Sequence, residues 1–341
     1  MHDPRSAAPP PKVTVVTPAY NVAKYIGETV DSVLRQSFRD FEYLVIDDGS
    51  VDNSVAVVRA HAAGDRRVRI IQAEHCGLSA VRNLGIRESR ATYIAYLDGD
   101  DRWRPRFLER QIALIESVPS NVGAVFCRSR VMLENGTFVF LQSQRAGSYD
   151  FDDFLVGNNP ARNGSSLLIR KSCFEDVGGF DEGVYVEDLE MWLRIASDSK
   201  TPLFWASRDY LVDLRLRPGQ LTRDRLAVAK ALDDLLAQQT GKLRRLPAGL
   251  AYVRPAMTAL KYGGCDELAE EWVRQAKSAG VARLVREPTG LRLLFWHSLT
   301  PVGRSRLRSL QEATRELVKR ANLRLLGRAE ADSAATQRES A

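Results

Sequence analysis

The tetrapeptide Asp98-Gly99-Asp100-Asp101 follows directly on Tyr93-Ile94-Ala95-Tyr96-Leu97, an apolar run that reads as a buried strand. Carboxylates crowded at a strand end repel one another and lose hydration, so the cluster wants a cation. Carboxylate oxygens are hard ligands of the kind Mg²⁺ or Mn²⁺ prefers, and an ion held by one or two of them keeps positions open for the phosphates of a nucleotide. The chemistry implied is that of a diphosphate leaving group. Taken alone, the tetrapeptide is equally a polar turn, since Asp and Gly are ordinary turn residues. It does not stand alone: Pro18-Ala19-Tyr20-Asn21 and Asp47-Asp48-Gly49-Ser50 also close apolar runs, and Glu187-Asp188 opens a helical pattern.

The elements around these clusters alternate between strand and helix through the first third of the chain. Residues 13–17 are rich in β-branched types, and a helix over 25–36 carries Ile26, Val30, Val33 and Leu34 at helical spacing. A second strand is expected over 41–46, a helix over 52–62 capped by Asp52 or Ser50, a third strand over 68–71, a helix over 78–88, and then the strand from Tyr93. This alternation predicts an α/β fold with a mostly parallel sheet and helices on both faces, a Rossmann-like pattern whose ligands bind at the carboxyl ends of strands. Further strands are expected over 122–126 and 136–142, joined by a turn at Glu134-Asn135-Gly136, and over 163–170. A short turn or helix over 174–178 and a helix over 187–197 follow. After Arg223 the apolar spacing is helical, with no strand candidates.

Composition excludes several classes. Cys76, Cys127, Cys173 and Cys265 are far apart and His2, His61, His75 and His297 equally scattered, so neither a disulfide framework nor a zinc site is expected. No stretch approaches the roughly 20 apolar residues that span a bilayer, and the polar, Pro-rich start is unlike a secretory signal, so the expected location is the cytoplasm. The net charge of +6 is placed late. Between Arg283 and Arg328, Arg and Lys mix with Leu, Phe and Trp, as in Leu291-Arg292-Leu293-Leu294-Phe295-Trp296. That mixture suits an anionic membrane surface, which would make the protein peripheral at the inner face of the cell membrane, although a basic face is also consistent with simple solvation. Nucleic acid is not an expected partner. The domain reading is a disordered tail over 1–10, a catalytic domain over 11–222, a helical region over 223–284, a basic amphipathic segment over 285–328 and a disordered tail over 329–341.

From Lys12 to Thr222 the chain resembles the inverting nucleotide-sugar glycosyltransferases of the GT-A fold, a family 2-like group that includes many bacterial cell-surface polysaccharide and glycolipid enzymes. The resemblance rests on the joint order of several blocks: Thr17-Pro18-Ala19-Tyr20-Asn21, Val45-Ile46-Asp47-Asp48-Gly49-Ser50, Gly77-Leu78-Ser79-Ala80-Val81-Arg82-Asn83, Leu97-Asp98-Gly99-Asp100-Asp101, Gly178-Gly179-Phe180-Asp181, and Glu187-Asp188 with Trp192-Leu193-Arg194. It implies a hexosyltransferase-type enzyme that takes a nucleotide-diphosphate sugar, a UDP-sugar first, and an acceptor that is a saccharide or a lipid-linked sugar. By the same resemblance Asp48 accepts the imino N–H of the base, Pro18 and Tyr20 line the base pocket, and Arg82 and Asn83 contact the nucleotide. Asp98 and Asp100 match the Asp-X-Asp pair that holds a divalent cation, Mn²⁺ or Mg²⁺, with Asp98 also near the ribose. Asp101 either binds donor hydroxyls or caps the helix over 105–116. Asp188 matches the general base, beside Glu187, which positions substrate hydroxyls or caps the helix; Trp192 is either core or an acceptor platform.

The chain departs from the resemblance at Leu214-Arg215-Leu216-Arg217, where many members carry Tyr-Arg-X-His and use the His on the metal or diphosphate. Arginine ligates no cation, so Arg215 and Arg217 are expected to clamp the diphosphate through charge-assisted hydrogen bonds instead, with Gln220 and Thr222 on the loop closing over the donor. Two competing readings are a nucleotidyltransferase, against which stands the lack of a Gly-rich loop with Lys around residues 18–26, and an inactive sugar-nucleotide-binding subunit, suggested by Arg217.

Overall fold

The computed structural model describes residues 9–156, 161, 163–217, 225–242, 252, 255–256 and 266–278. The chain forms two compact units, Met1–Leu246 and Pro247–Ala341. In the first, β1 (Val13–Ala19), α1 (Ile26–Leu34), β2 (Phe41–Asp48), α2 (Ser54–His61), β3 (Val68–Ala73), α3 (Leu78–Glu88) and β4 (Tyr93–Tyr96) realise the expected alternation. There follow β5 (Arg102–Trp103), α4 (Phe107–Ser117), β6 (Val122–Leu133), β7 (Phe138–Gln142), β8 (Gly147–Tyr149), α5 (Phe151–Val156), a 3₁₀ turn at Gly164–Ser166, β9 (Leu167–Arg170), α6 (Lys171–Val177), α7 (Glu187–Asp198), β10 (Leu203–Leu216) and α8 (Arg225–Gln239). In the second unit α9 (Asp266–Ser278) buries Trp272 and Val273.

Among the described residues there is one ten-stranded sheet, ordered β3-β2-β1-β4-β9-β6-β10-β5, with β7 on β6 and β8 on β10. The longest registers, β1–β2, β2–β3 and β6–β10, are parallel, and β9 enters antiparallel between β4 and β6. Every residue of β2 is buried, which is why its sequence runs apolar without alternating: both faces are covered. Val13, Val15, Val45 and Ala95 face Ile26, Val30 and Val33 of α1 and Phe107, Ile112 and Ile115 of α4. Each of those helix side chains stabilises the fold by about 1.5–3 kcal/mol. The alternate residues face α3, where Gly85 lies so close to Val16 that a Cβ would stand 2.6 Å from Cγ1. On that side Tyr96, Phe180, Trp192 and Phe204 form a chain of edge-to-face rings at centroid distances of 5.7, 6.1 and 6.2 Å. Trp192 is 1% exposed, so of its two readings it is core.

Several elements differ from expectation. The strand over 163–170 begins as the 3₁₀ turn, because Ser165 turns inward to serve the acidic cluster. β6 runs seven residues past Phe126, to Leu133, and β5 and β10 were not anticipated. At the start of α2, Asp52 Oδ1 accepts from Ser54 N (2.9 Å), while Ser50 Oγ is taken by Asn21 N, so Asp52 is the residue serving the helix start. The proposed closing loop at Gln220 and Thr222, the basic segment over 285–328 and the tail over 329–341 lie outside the described residues. No helix among those described is long and apolar enough to cross a membrane.

Candidate active site

Parallel pairing of β1 with β2 and β4 brings the ends of three strands to one edge, and with them the polar clusters at residues 18–21, 47–50 and 98–101. The acidic turn after β4 is held from beneath: Thr29 Oγ1 of α1 donates to the carbonyls of Gly99 (3.0 Å) and Asp101 (2.8 Å). A Cβ on Gly99 would meet Pro18 O at 3.1 Å and Ile26 Cδ1 at 3.2 Å, so a small residue between the carboxylates lets the turn seat against the β1 end.

Each acid of the turn has a different environment. Asp101 is 5% exposed; its Oδ2 accepts from Ser165 Oγ (2.7 Å) and its Oδ1 from Arg215 N (2.9 Å). Burial, and then repulsion from Asp100 and Asp98, push its carboxyl well above the usual range. Both oxygens being engaged in the sheet interior, Asp101 does not cap α4, whose start has no side-chain cap. Asp100 is buried, its Oδ2 2.5 Å from Arg217 Nε. Asp98 is the most open of the three, with its side chain 34% exposed and its Oδ1 3.4 Å from Arg82 Nη2. Burial raises its proton affinity against the opposing pull of Arg82.

Arg82, on α3, joins this turn to the start of α7. It is 3% exposed; Nη1 donates to Glu187 Oε1 at 2.7 Å, and the guanidinium lies over the rings of Phe180 (5.4 Å) and Tyr96 (5.7 Å). Its neighbour Asn83 fixes the loop that leads to α7: Oδ1 accepts from Phe180 N (2.7 Å), and Nδ2 donates to Phe180 O (2.9 Å) and Glu182 Oε1 (3.1 Å). Both residues are thus engaged with protein partners. At α7 the half-buried Asp188 has its carboxyl pushed up to about 6 by burial and by adjacent Glu187, against the pull of Arg82. A carboxyl poised there can accept a proton near neutral pH.

At the β2 end, Asp48 is 5% exposed and organises the loop after β3: Oδ1 accepts from Cys76 N (2.7 Å), Oδ2 from Gly77 N (3.1 Å), and His75 Nδ1 lies 3.0 Å from Oδ2. His75 stacks on the exposed Tyr20 ring, centroids 4.4 Å apart and planes 21° off parallel. Sequence reasoning set His75 aside as scattered; its place directly after β3, a fourth strand end, was the available signal. Ser165 was missed too, since a serine in the polar stretch Asn163-Gly164-Ser165-Ser166 ahead of a strand gives no hint that it donates to Asp101 Oδ2 while its Oγ accepts from Asp98 N (3.1 Å). Of the two arginines at the end of β10, Arg215 is locked in protein: Nε donates to Asp100 O (2.9 Å), Nη1 to Glu134 O (2.6 Å) and Nη2 to Glu28 Oε2 (2.9 Å).

Among the described residues no three His, Cys, Asp or Glu side chains converge as a metal cage. The donor set still fits a hard divalent ion. Five carboxylates, Asp98, Asp100, Asp101, Glu187 and Asp188, gather around the ion-paired Arg82 and Arg217. Burial first, and then repulsion between neighbours, raises the proton affinity of three of them, and Asp98 and Asp100 offer the two-carboxylate set that Mg²⁺ or Mn²⁺ completes with water and phosphate.

Residues 14–178 match the model of glycosyl transferase family 2. Over this segment, just under half of the chain, the protein is glycosyltransferase family 2-like. Among relatives of this glycosyltransferase, an uncharacterized glycosyltransferase of Rickettsia prowazekii is 26% identical over 239 residues, 69% of this chain and 73% of that protein. The putative teichuronic acid biosynthesis glycosyltransferase TuaG of Bacillus subtilis is 31% identical over 143 residues, 41% of this chain and 56% of its own. Among solved structures, residues 1–349 of S. aureus TarS in complex with UDP-GlcNAc align with a TM-score of 0.59 at 16% identity, over 89% of this chain and 92% of TarS 1–349. The mannosyltransferase PcManGT of Pyrobaculum calidifontis, in complex with GDP-Man and Mn²⁺, aligns at 0.52 and 19% identity over 92% and 84% of the two chains. At these identities the structural likeness establishes the GT-A fold.

Proposed function

We propose that the glycosyltransferase domain moves a sugar from a UDP-sugar to an acceptor hydroxyl with inversion, in the synthesis of a cell-surface polysaccharide or glycolipid. The observation that carries this reading is Arg82, whose guanidinium touches Asp98 at the strand end and Glu187 at the start of α7, so that one buried arginine bridges the acidic turn and the Glu187-Asp188 pair. Asp188 takes the acceptor's proton, its raised proton affinity suiting the task. Asp98 and Asp100 would hold a divalent cation, which when bound supplies Lewis-acid stabilisation of the departing diphosphate. Tyr20, Pro18 and the Asp48-ordered loop form the wall for the base, and Arg217 reaches the diphosphate. The neighbours bound to UDP-GlcNAc and to GDP-Man with Mn²⁺ support a nucleotide-sugar donor and a divalent ion, and the teichuronic acid relative supports polysaccharide synthesis.

The test is a panel of nucleotide sugars with Mn²⁺, read by release of the nucleoside diphosphate. UDP is expected from at least one UDP-sugar, while release confined to GDP-sugars would overturn the choice of base. Asp188→Asn should abolish transfer and leave UDP affinity within about threefold, and retained turnover would remove Asp188 from the mechanism. We place the enzyme at the cytoplasmic face of the membrane, held there by the basic segment over 285–328. The whole chain should sediment with vesicles containing about one-third phosphatidylglycerol and not with neutral ones; indifference to vesicle charge would count against it.

A further inference from the structure

Arg217 and a divalent cation have a ligand in common. Arg217 follows the last residue of β10, its Nε 2.5 Å from Asp100 Oδ2 and its guanidinium 5.9 Å from the centre of the Tyr25 ring. Arg215, two positions earlier and hence on the same face of the chain, is 2% exposed and fastened to Asp100 O, Glu134 O and Glu28. Arg217, with its side chain 24% exposed at the strand's end, is the less enclosed of the two. A guanidinium hydrogen-bonded to Asp100 both occupies a lone pair that an ion would use and sets a positive charge beside that ion, where the low local dielectric strengthens repulsion.

We propose, on the donor reading above, that Arg217 is an internal counter-ion competing with the divalent cation for Asp100, and that the donor's diphosphate relieves the competition by drawing the guanidinium to itself. Arginine is suited to the exchange because its planar fork matches carboxylate and phosphate alike. The cation alone then binds weakly and the cation with nucleotide binds well. Linkage makes the enhancement reciprocal, and its size depends on residue 217. The device keeps the carboxylate cluster neutralised between turnovers and favours loading of ion and donor together.

The experiment titrates Mn²⁺ alone, followed by its electron paramagnetic resonance signal, into the full-length wild type and Arg217→Gln, then repeats both titrations at saturating UDP. Without nucleotide, Arg217→Gln should bind Mn²⁺ about tenfold more tightly than wild type, within the usual span of coupling between sites, and UDP should enhance Mn²⁺ binding less in the variant. Arg217→Lys retains a cation and should stay within about threefold of wild type, which also serves if the Gln variant does not fold. Unchanged or weaker Mn²⁺ affinity in Arg217→Gln, or a Lys variant as tight as the Gln variant is expected to be, overturns the competition. A wild type that binds no UDP overturns the donor reading and the relief by diphosphate, whereas the nucleotide-free comparison decides the competition by itself.

Discussion

A carboxylate that must take a proton works best when its own proton is held nearly as tightly as the working pH allows, and Asp188 is displaced from an ordinary 3.8 to about 6, first by burial and then by Glu187. Transfer should therefore lose about tenfold in rate per pH unit below about 6, as an initial-rate profile will read. The same displacement bears on stability. The folded chain holds this proton more tightly than the unfolded one, so the contribution is most favourable below about pH 4 and falls as pH rises towards 6. Asn mimics the protonated acid at every pH. Asp188→Asn, though inactive, should melt about 2–4 °C above wild type at pH 8, for a gain of about 1 kcal/mol, and no higher at pH 4. Equal melting at both pH values would mean that Asp188 is not strained by its surroundings. Arg82 opposes this strain from its 3% exposed position between Glu187 and Asp98. Arg82→Met leaves buried carboxylates uncompensated, a change that costs about 3–5 kcal/mol in urea unfolding. In whatever fraction folds, the acidic limb of the rate profile should move upward in pH, a shift that loss of packing alone would not produce.

At the scale of elements, the segment between α6 and α7 decides where Asp188 points, and Asn83 is its clamp. Gly179 passes so near that a Cβ would lie 2.3 Å from Asn83 Oδ1. Gly179→Ala must push Asn83 off the Phe180 backbone, an overpacking cost of about 1–3 kcal/mol in chemical denaturation, and should lower kcat more than it weakens UDP binding. A fall in UDP affinity with kcat unchanged would show that the loop serves the donor and not the base. The β1 to β4 part of the fold was legible because β1, β2 and β4, buried on both faces, are written as largely apolar runs with polar clusters at their ends, and those clusters are the candidate site. β10 was not: Ser207-Arg208-Asp209 interrupts Leu203–Leu216 where its register with β6 shifts, which breaks the pattern that betrays a strand. β5 is two residues long, held by pairing with β10 and not by any local propensity. The turn at Ser165 hid for a related reason, since its role is set by acids more than sixty positions away. The sequence singles out Asp48 and Arg82, but not the backbone and carboxylate partners that occupy them, because those partners arrive through tertiary contact.

At the scale of the molecule, the change from alternating elements to helices near Thr222 suggests a boundary there, whereas the first compact unit extends to Leu246 and includes α8. That helix buries Leu235 at 4% exposure and Leu236 at 1%, side chains each worth about 1.5–3 kcal/mol when removed from water. It also lies on the continuation of β10, the strand that carries Arg215 and Arg217 to the acidic turn. A chain ending at residue 246 should therefore fold with a single cooperative transition and bind UDP within about threefold of the full chain by calorimetry. One ending at residue 222 should lose several kcal/mol of stability and bind UDP poorly, because the strand end bearing Arg217 would no longer be anchored on its far side. Equal stability and UDP affinity in the two fragments would put α8 outside the catalytic unit and make Asp100, not the helix beyond it, the anchor of Arg217.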